Sequence, residues 1–222
     1  MATSGTTSFE LDVAEIIEEA YERCGLEART GYDFKTARRS LNLMFADWAN
    51  RGINLWTVKQ GTQALTAGTA TYAFSDDYTD LLEVVIRRSG VDYELSRMSR
   101  GEYLTLPNKT TEGRPSQYYF NRQTIPEITL WATPDSSTDT LIYYYVKRIE
   151  DAATLVNTTD APFRFLPCMI AGLSYYIAMK KAPDRIQLLK AVYEEEFQRA
   201  ADEDEDRVPL KLQPSLQYLR VN

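Results

Sequence analysis

The sequence contains no histidine among its 222 residues. Histidine is the side chain most often used as a general base, as the partner of a nucleophilic serine or cysteine, and as a zinc ligand. Its absence excludes most familiar hydrolase mechanisms. No glycine-rich phosphate loop, serine nucleophile elbow, kinase signature or Cys/His metal spacing occurs either. We therefore expect neither a cofactor nor a metal site.

Cysteine is also scarce, since only Cys24 and Cys168 are present. Each lies inside an apolar helical pattern, and free cysteine is among the most buried residue types. Two cysteines so far apart in the sequence also lack the close spacing of a zinc site. We expect two buried free thiols without redox chemistry.

Long apolar runs are missing as well. No stretch approaches the roughly 18 consecutive apolar residues of a membrane span. The first nine residues, MATSGTTSF, lack the basic and apolar regions of a signal peptide. We expect a protein that is made in a cytoplasm and has no membrane partner. With 44% hydrophobic residues, the chain is long enough to bury a sizeable core.

The formal net charge of −7 is concentrated in one segment. Residues 194–206 contain eight acidic residues and a single basic residue, Arg199, so the rest of the chain balances to zero. No basic footprint of a duplex-binding domain is visible. The acids at 202–206 lack the spaced ligands and turn glycine of an EF-hand loop, which favours a solvated helix end over a cation site.

Apolar residues recur at helical spacing towards both ends of the chain. Thr7 and Glu10 have the spacing of a capping box, and Asp33 is positioned to cap a second helix. A third helix is predicted after Asp160, and Pro183 separates it from a fourth. Amphipathic helices of this length are marginal alone, so we expect them to pack as a bundle.

Residues 54–149 have a different character. β-branched and aromatic residues replace the helical period, and short polar segments interrupt them. Within residues 113–148 the pattern predicts three consecutive antiparallel strands, separated by polar turns. The predicted fold class is therefore α+β, with a bundle of about four helices, an inserted antiparallel β module and an extended C-terminal arm.

The segment 113–148 also carries a resemblance. It contains Gly-x-Pro-x-x-Tyr-Tyr from Gly113, a polar turn, an Ile/Leu strand ending at Trp131, a Pro-Asp turn, and a tyrosine-rich strand ending in Lys147 and Arg148. This order resembles the head-to-tail adaptor proteins of short-tailed bacteriophages, also called tail tubular protein A. That family places two helices before such a β region and two after it, which is the arrangement predicted for this chain.

The resemblance implies a structural virion protein of the head–tail junction and no enzyme. It implies a ring of twelve copies that joins the portal protein to the tail nozzle protein. DNA would pass through this ring during genome ejection without specific binding. The helical part and the C-terminal arm would face the portal, and the β module would face the tail.

The expected organisation has three parts: a helical bundle of residues 1–53 and 150–206, a β-sandwich or barrel of residues 54–149, and an extended arm of residues 207–222. Two prolines exclude a long helix in the arm, which is also too apolar for a solvated tail. We expect a neighbouring chain to cover it, and packing on its own fold is the alternative. The predicted portal or subunit interface comprises Leu210, Leu212, Leu216, Tyr218 and Leu219.

Two further sets of residues follow from the ring interpretation. Tyrosine is favoured at interfaces, so the predicted tail-side or subunit interface comprises Trp131, Tyr143, Tyr144 and Tyr145, with the loop 107–115 as a second contact. Acidic side chains that face a channel would repel DNA phosphates. The candidate channel-lining residues are Asp202, Glu203, Asp204, Glu205 and Asp206.

Two rival functions remain at this stage. A cell-wall glycosidase needs only two carboxylates, and Glu94 and Glu102 are the candidate pair in the β region. A nucleic-acid-binding module would stack bases on some of the 15 tyrosines beside basic side chains. The basic residues of the β region are scattered along the sequence, which favours packing and subunit contacts for the tyrosines.

Overall fold

The helices confirm the predicted α+β class. The structure is a computed structural model that describes residue 5, residues 11–52 and residues 55–204. The N-terminal pair is α1 (Val13–Arg23) and α2 (Gly31–Asn50). A short helix, α3 (Arg100–Thr105), lies within the β region, and the C-terminal pair is α4 (Leu166–Lys181) and α5 (Ile186–Glu203).

Side chains that bind free backbone N–H groups set the starts of α1 and α2. Glu15 N donates to the Asp12 carboxylate at 2.8 Å, and Asp12 N donates to the Glu15 carboxylate at 3.0 Å. Thr30 and Asp33 form the same reciprocal pair at the start of α2. The predicted Thr7 cap lies outside the described residues, and Asp33 is the third helical residue instead of the cap. The cap of α2 was predicted wrongly because Thr30 and Asp33 are both residue types that cap helices and lie three positions apart.

Helix α4 lies at the centre of the bundle and packs against α1, α2 and α5. Its residues are apolar on almost every side, which is the pattern of a buried helix. Gly172 allows side chains of the neighbouring helices to approach the α4 backbone closely. A Cβ atom at this position would lie 2.4 Å from Met44 Sδ and 2.7 Å from the Tyr193 ring. The glycine therefore lets α2 and α5 meet across α4.

A buried hydrogen bond joins α2 to α5 in the same part of the bundle. Trp48 Nε1 on α2 donates to the Tyr193 hydroxyl oxygen on α5 at 3.0 Å, and both side chains are almost fully buried. Burial raises the pKa of the Tyr193 hydroxyl. The Trp48 ring also packs against Phe45 and Phe165, with centroid distances of 5.7 and 5.6 Å. Helices α2, α4 and α5 are thereby held in one arrangement.

The β region forms two four-stranded sheets. Its strands within the described residues are β1 (Val58–Ala64), β2 (Thr71–Ala73), β3 (Tyr78–Arg88), β4 (Val91–Glu94), β5 (Ser96–Met98), β6 (Glu112–Gly113), β7 (Gln117–Asn121), β8 (Glu127–Trp131), β9 (Thr133–Pro134) and β10 (Thr140–Lys147). The first sheet has the order β1-β10-β3-β4 and is antiparallel. The second has the order β2-β8-β7-β5, in which only β5 and β7 are parallel. A short parallel pair joins β6 to β9.

The prediction of three consecutive paired strands was partly wrong. Strands β7 and β8 form the expected antiparallel pair. Strand β10 instead crosses to the first sheet, where it lies between β1 and β3. Its residues Leu141, Ile142 and Tyr143 are all buried, which suits a central strand and not an edge strand. The polar segment after Thr133 is therefore a crossover between two packed sheets.

The described residues form two separate hydrophobic cores. The helical core draws on residues from Val13 to Trp48 and from Ala152 to Ala200. The β core draws on residues from Leu65 to Tyr143 and includes side chains from both sheets. This arrangement fits a β module inserted into a helical bundle, and the boundaries at residues 53 and 149 stay predictions.

The returning segment, residues 148–162, leads from the β module back to the bundle and is attached to it. The backbone N–H groups of Val13 and Ala14 donate to the carbonyls of Asn157 and Leu155, each at 3.0 Å. These are N–H groups that the first turn of a helix leaves without intrahelical partners. Ala152 N also donates to the Asn42 side chain of α2 at 2.8 Å. The segment thus connects α1, α2 and the end of β10.

We predict that Gly172→Ala lowers the free energy of unfolding by about 1–3 kcal/mol, the usual cost of overpacking a close-packed core. The added methyl group would overlap Met44 and Tyr193. Urea denaturation of the purified protein measures the change.

Gly101→Ala is the matched control, because Gly101 also lies in a helix. Its added Cβ would come no closer than 3.9 Å to Ser99 Oγ, and alanine is the better helix former. This variant should be as stable as the unaltered protein or slightly more so. An unchanged unfolding midpoint in Gly172→Ala would contradict the described packing of α4.

The ion pair between Asp33 and Lys181 predicts a specific acid sensitivity. The bond from Lys181, and then that from Thr30, lower the pKa of Asp33 to about 2. A depressed carboxyl pKa stabilises the fold above the unfolded value of about 3.9, and this stability is lost as the pH falls towards 2. Lys181→Met should therefore lose less stability between these pH values than the unaltered protein, as measured by thermal melting.

Lys190→Met is the control, because Lys190 is exposed on α5 and forms no ion pair in the described part of the chain. It should keep the unaltered dependence on pH. Parallel melting profiles for Lys181→Met and the unaltered protein would show that the pair does not couple to folding.

Candidate interaction surfaces

The outer face of the first sheet exposes an aromatic side chain. Tyr144 on β10 is 43% exposed and pairs in register with Gln60 of β1. On the other side β3 contains a bulge, where Leu82 and Glu83 together lie opposite Tyr144. Leu82 is 44% exposed. Two large side chains therefore lie side by side in solvent, and tyrosine suits an interface because its ring is apolar and its hydroxyl forms hydrogen bonds.

The other predicted aromatic residues are less accessible. Tyr143 is 3% exposed and belongs to the β core. The Tyr145 ring stacks on Tyr78 at a centroid distance of 3.7 Å, and burial raises the pKa of Tyr78 to about 12. Trp131 Nε1 donates to the backbone oxygen of Asn108 at 2.9 Å. Tyr144 is the most accessible of the four side chains, so the predicted interface role of this group depends mainly on it.

The loop 107–115 is held against the β module. Thr133 N donates to the carbonyl of Thr111 at 2.9 Å, next to the paired strands β6 and β9. The Arg114 guanidinium lies 3.9 Å from the centroid of the Tyr93 ring. Most of the loop is exposed. It offers a positioned surface, and its role as a second contact stays a prediction.

The predicted arm lies outside the described residues, and so do Glu205 and Asp206. The described acids at the end of α5 differ from one another. Asp202 is exposed and accepts a hydrogen bond from Gln198 at 2.7 Å. The Asp204 side chain is only 5% exposed and accepts a bond from the Arg164 guanidinium at 2.6 Å. Asp204 therefore ties the end of α5 to the start of α4 and does not present a free charge.

The glycosidase pair does not have the features that this chemistry needs. Glu102 completes the capping box of α3, where it accepts a bond from Ser99 N at 2.6 Å. This backbone hydrogen bond lowers the pKa of Glu102. A general acid in a glycosidase needs a raised pKa. Glu94 lies exposed at the edge strand β4. Glu102 therefore has a structural role as part of a helix cap, and Glu94 is a solvated surface residue.

Half of the basic side chains of the β module form ion pairs with acidic residues. Arg88 binds Asp135 and the fully buried carboxylate of Asp139, while Arg97 and Arg122 both approach Asp80. An arginine held by carboxylates is not available for phosphates. This pairing, within the described β module, weakens the nucleic-acid interpretation.

The buried thiols were predicted correctly. Cys24 and Cys168 are both buried and free. Burial raises the pKa of each thiol, to about 12 for Cys168. The described residues contain no group of three or more side chains suited to a metal ion. They also contain no helix that is long and apolar enough to cross a membrane.

One groove was missed in the sequence. It has a volume of about 410 Å³ and lies where α2 meets the segment that follows β10. Phe45, Ala46, Ala49 and Ile149 give it an apolar lining. Phe45 belongs to the helical stripe that fills the core, whereas Ala46 and Ala49 are exposed on the neighbouring side of α2. Two exposed alanines give no sign of a groove in the sequence, because the residue that faces them, Ile149, lies about 100 positions later.

Comparison with known proteins gives one match to a family. A comparison with curated proteins finds no match. The family model of the SU10 adaptor protein matches residues 11–214, which covers both helical pairs and the whole β module between them. This family consists of structural adaptors of the phage head–tail junction and not of enzymes. The chain therefore belongs to the SU10 adaptor protein family and is a structural component of the virion.

Proposed function

We propose that the chain assembles as a ring between the portal and the tail nozzle and that DNA passes through this ring. The observation that carries the proposal is the family match, which spans the bundle and the β module together. The resemblance of residues 113–148 to head-to-tail adaptors supports a ring of twelve copies, one for each portal subunit. The assembled protein would reside at the head–tail junction.

Two cores with separate outer surfaces suit a protein that binds two partners. The helical bundle offers one set of exposed residues, and the β module offers another at Tyr144 and Leu82. The returning segment attaches one end of the β module to α1 and α2. Because of this attachment, the orientation of the portal-bound bundle would also orient the surface that meets the nozzle.

The C-terminal arm is the proposed portal contact. The bond between Asp204 and Arg164 places the end of α5 next to the start of α4. The 18 residues after Asp204 would span about 60 Å if they were extended. Their leucines and tyrosine would be covered by pockets or by strand addition on the portal. Binding to the portal would remove these apolar side chains from water.

The acids at the end of α5 are the proposed channel lining. Asp202 and Glu203 are exposed, and Glu205 and Asp206 follow them in the sequence. Like charges repel, so a ring of such carboxylates would keep DNA phosphates from adhering to the wall. Asp204 is left out of this group because Arg164 binds its carboxylate.

We predict that removal of residues 207–222 abolishes attachment to purified portal rings of the same phage. Folding should persist, because the two described cores lie within residues 13–200. Co-sedimentation with portal rings measures attachment, and circular dichroism checks the fold. Attachment that survives the truncation would contradict the proposed portal contact.

A matched pair of substitutions tests whether the apolar residues of the arm are responsible. Leu210→Ser with Leu212→Ser should weaken attachment in the same way as the truncation. Lys211→Ser with Gln213→Ser changes neighbouring positions to the same residue and should attach like the unaltered chain. Equal binding by the two variants would show that the leucines are not the contact.

We predict that Tyr144→Ala with Leu82→Ala weakens binding of the nozzle protein by about thirtyfold, the effect of losing a hot spot of about 2 kcal/mol. Portal attachment should not change, because the substitutions lie on the β module. Binding of nozzle protein to portal-bound rings measures the first effect.

Val91→Ala is the control for this surface, because Val91 is 51% exposed on β4 of the same sheet. It should bind the nozzle protein like the unaltered chain. If the Tyr144 and Leu82 variant also binds normally, this face is not the nozzle contact.

A further inference from the structure

The outward side of α1 carries a row of glutamates, the acidic rim, beside a groove that is lined by glutamates and two aliphatic side chains. Glu15, Glu18 and Glu22 are exposed and recur at intervals of three and four residues, which places them along one side of the helix. They line an open groove of about 340 Å³ together with Leu11 and Ile170. Ile170 belongs to α4, so the groove lies between α1 and the central helix.

Little within the protomer compensates this negative charge. Glu19 pairs with Arg23 at 2.9 Å, but Glu18 and Glu22 form no ion pair among the described residues. Like charges four residues apart on a helix repel each other. The rim therefore weakens α1 on its own, and a cationic group from another chain would relieve the repulsion.

The outward side of α2 carries the opposite charge. Lys35 and Arg39 are exposed and four residues apart, and Leu43 follows one turn later with 59% exposure. These three residues line one shallow depression on the helix. The pKa of nearby Lys180 is lowered, first by burial and then by the positive charges of Arg39 and Lys181. A local excess of positive charge thus surrounds an exposed leucine.

We propose that Leu43 and the basic side chains around it dock into the acid-rimmed groove of a second copy of this chain. Leu43 would contact Leu11 and Ile170, while Lys35 and Arg39 would meet the glutamates of the rim. The two surfaces differ, so the contact is heterologous, and a heterologous contact whose rotation closes generates a ring. The inference rests on the proposed ring and names the surfaces that close it.

A contact of this kind is weak between two free copies. Exposed ion pairs contribute little individually, and salt screens them. A portal ring that holds the copies at fixed positions raises their effective concentration and completes many such contacts together. High salt should therefore reduce the completion of rings more than it reduces the folding of the chain.

Charge reversal tests the proposal. Glu18→Lys with Glu22→Lys, and separately Lys35→Glu with Arg39→Glu, should each raise the concentration that half-saturates portal rings by about tenfold or more, because like charges would face each other. The variant that combines all four substitutions restores the attraction and should fill rings like the unaltered chain. An equal mixture of the two double variants should also fill them, with the variants alternating.

The controls reverse the same number of charges elsewhere on the surface. Lys59→Glu with Lys190→Glu, and Asp76→Lys with Glu94→Lys, change exposed residues outside both proposed surfaces and should not alter ring filling. Leu43→Ala tests the apolar part of the contact without any charge change and should also weaken filling. Circular dichroism verifies that each variant is folded.

The outcomes separate this inference from the proposed function. If the double variants fill portal rings normally, the pairing of α1 with α2 is wrong. The same follows if the combined variant does not fill rings like the unaltered chain. Neither result contradicts the proposed ring itself. An unaltered chain that forms no ring on the portal would overturn the ring itself and, with it, this contact.

Discussion

The close approach of α2 and α5 across Gly172 is the constraint on which the bundle depends. Met44 and Tyr193 occupy the space that any larger side chain would need, and the bond from Trp48 to Tyr193 fixes their register. The same layer contains Phe165, at the point where the chain re-enters the bundle. The helices before and after the β module are therefore joined by packing as well as by the backbone.

This arrangement explains how a β module of about 90 residues is carried between two pairs of helices. The module has its own core, to which both sheets contribute and which contains no side chain of the helical core. Its position depends on the returning segment, whose carbonyls accept bonds from Val13 and Ala14. In the proposed ring, such coupling would link the orientation of the portal-side surface to that of the nozzle-side surface.

Much of the fold was predictable from residue patterns. Helical periodicity located the four long helices of the part of the chain that the structure describes, and β-branched and aromatic residues located the inserted sheets. The pairing of β10 was not predictable, because a central strand with both faces buried shows no alternation to reveal its sheet. The caps at Asp12 and Thr30 were missed because chemically similar residues precede or follow them closely.

The candidate surfaces were less predictable than the fold, since exposure depends on tertiary packing. Tyr143, Tyr144 and Tyr145 are identical in type, yet the first is in the core and only the second is exposed. In the sequence Asp204 belongs to an acidic run. In the structure Arg164, which is distant in the sequence, forms an ion pair with it. The glutamates of α1 and the basic residues of α2 recur at helical spacing in the sequence. Only the tertiary structure shows that the glutamates border a groove beside Ile170.

The central claim is that the chain acts as a ring on the portal. The most direct test is the mass of purified portal rings with and without added adaptor. The account predicts that the mass rises by one adaptor chain for each portal subunit. Saturation at a single copy, or no increase in mass, would contradict it.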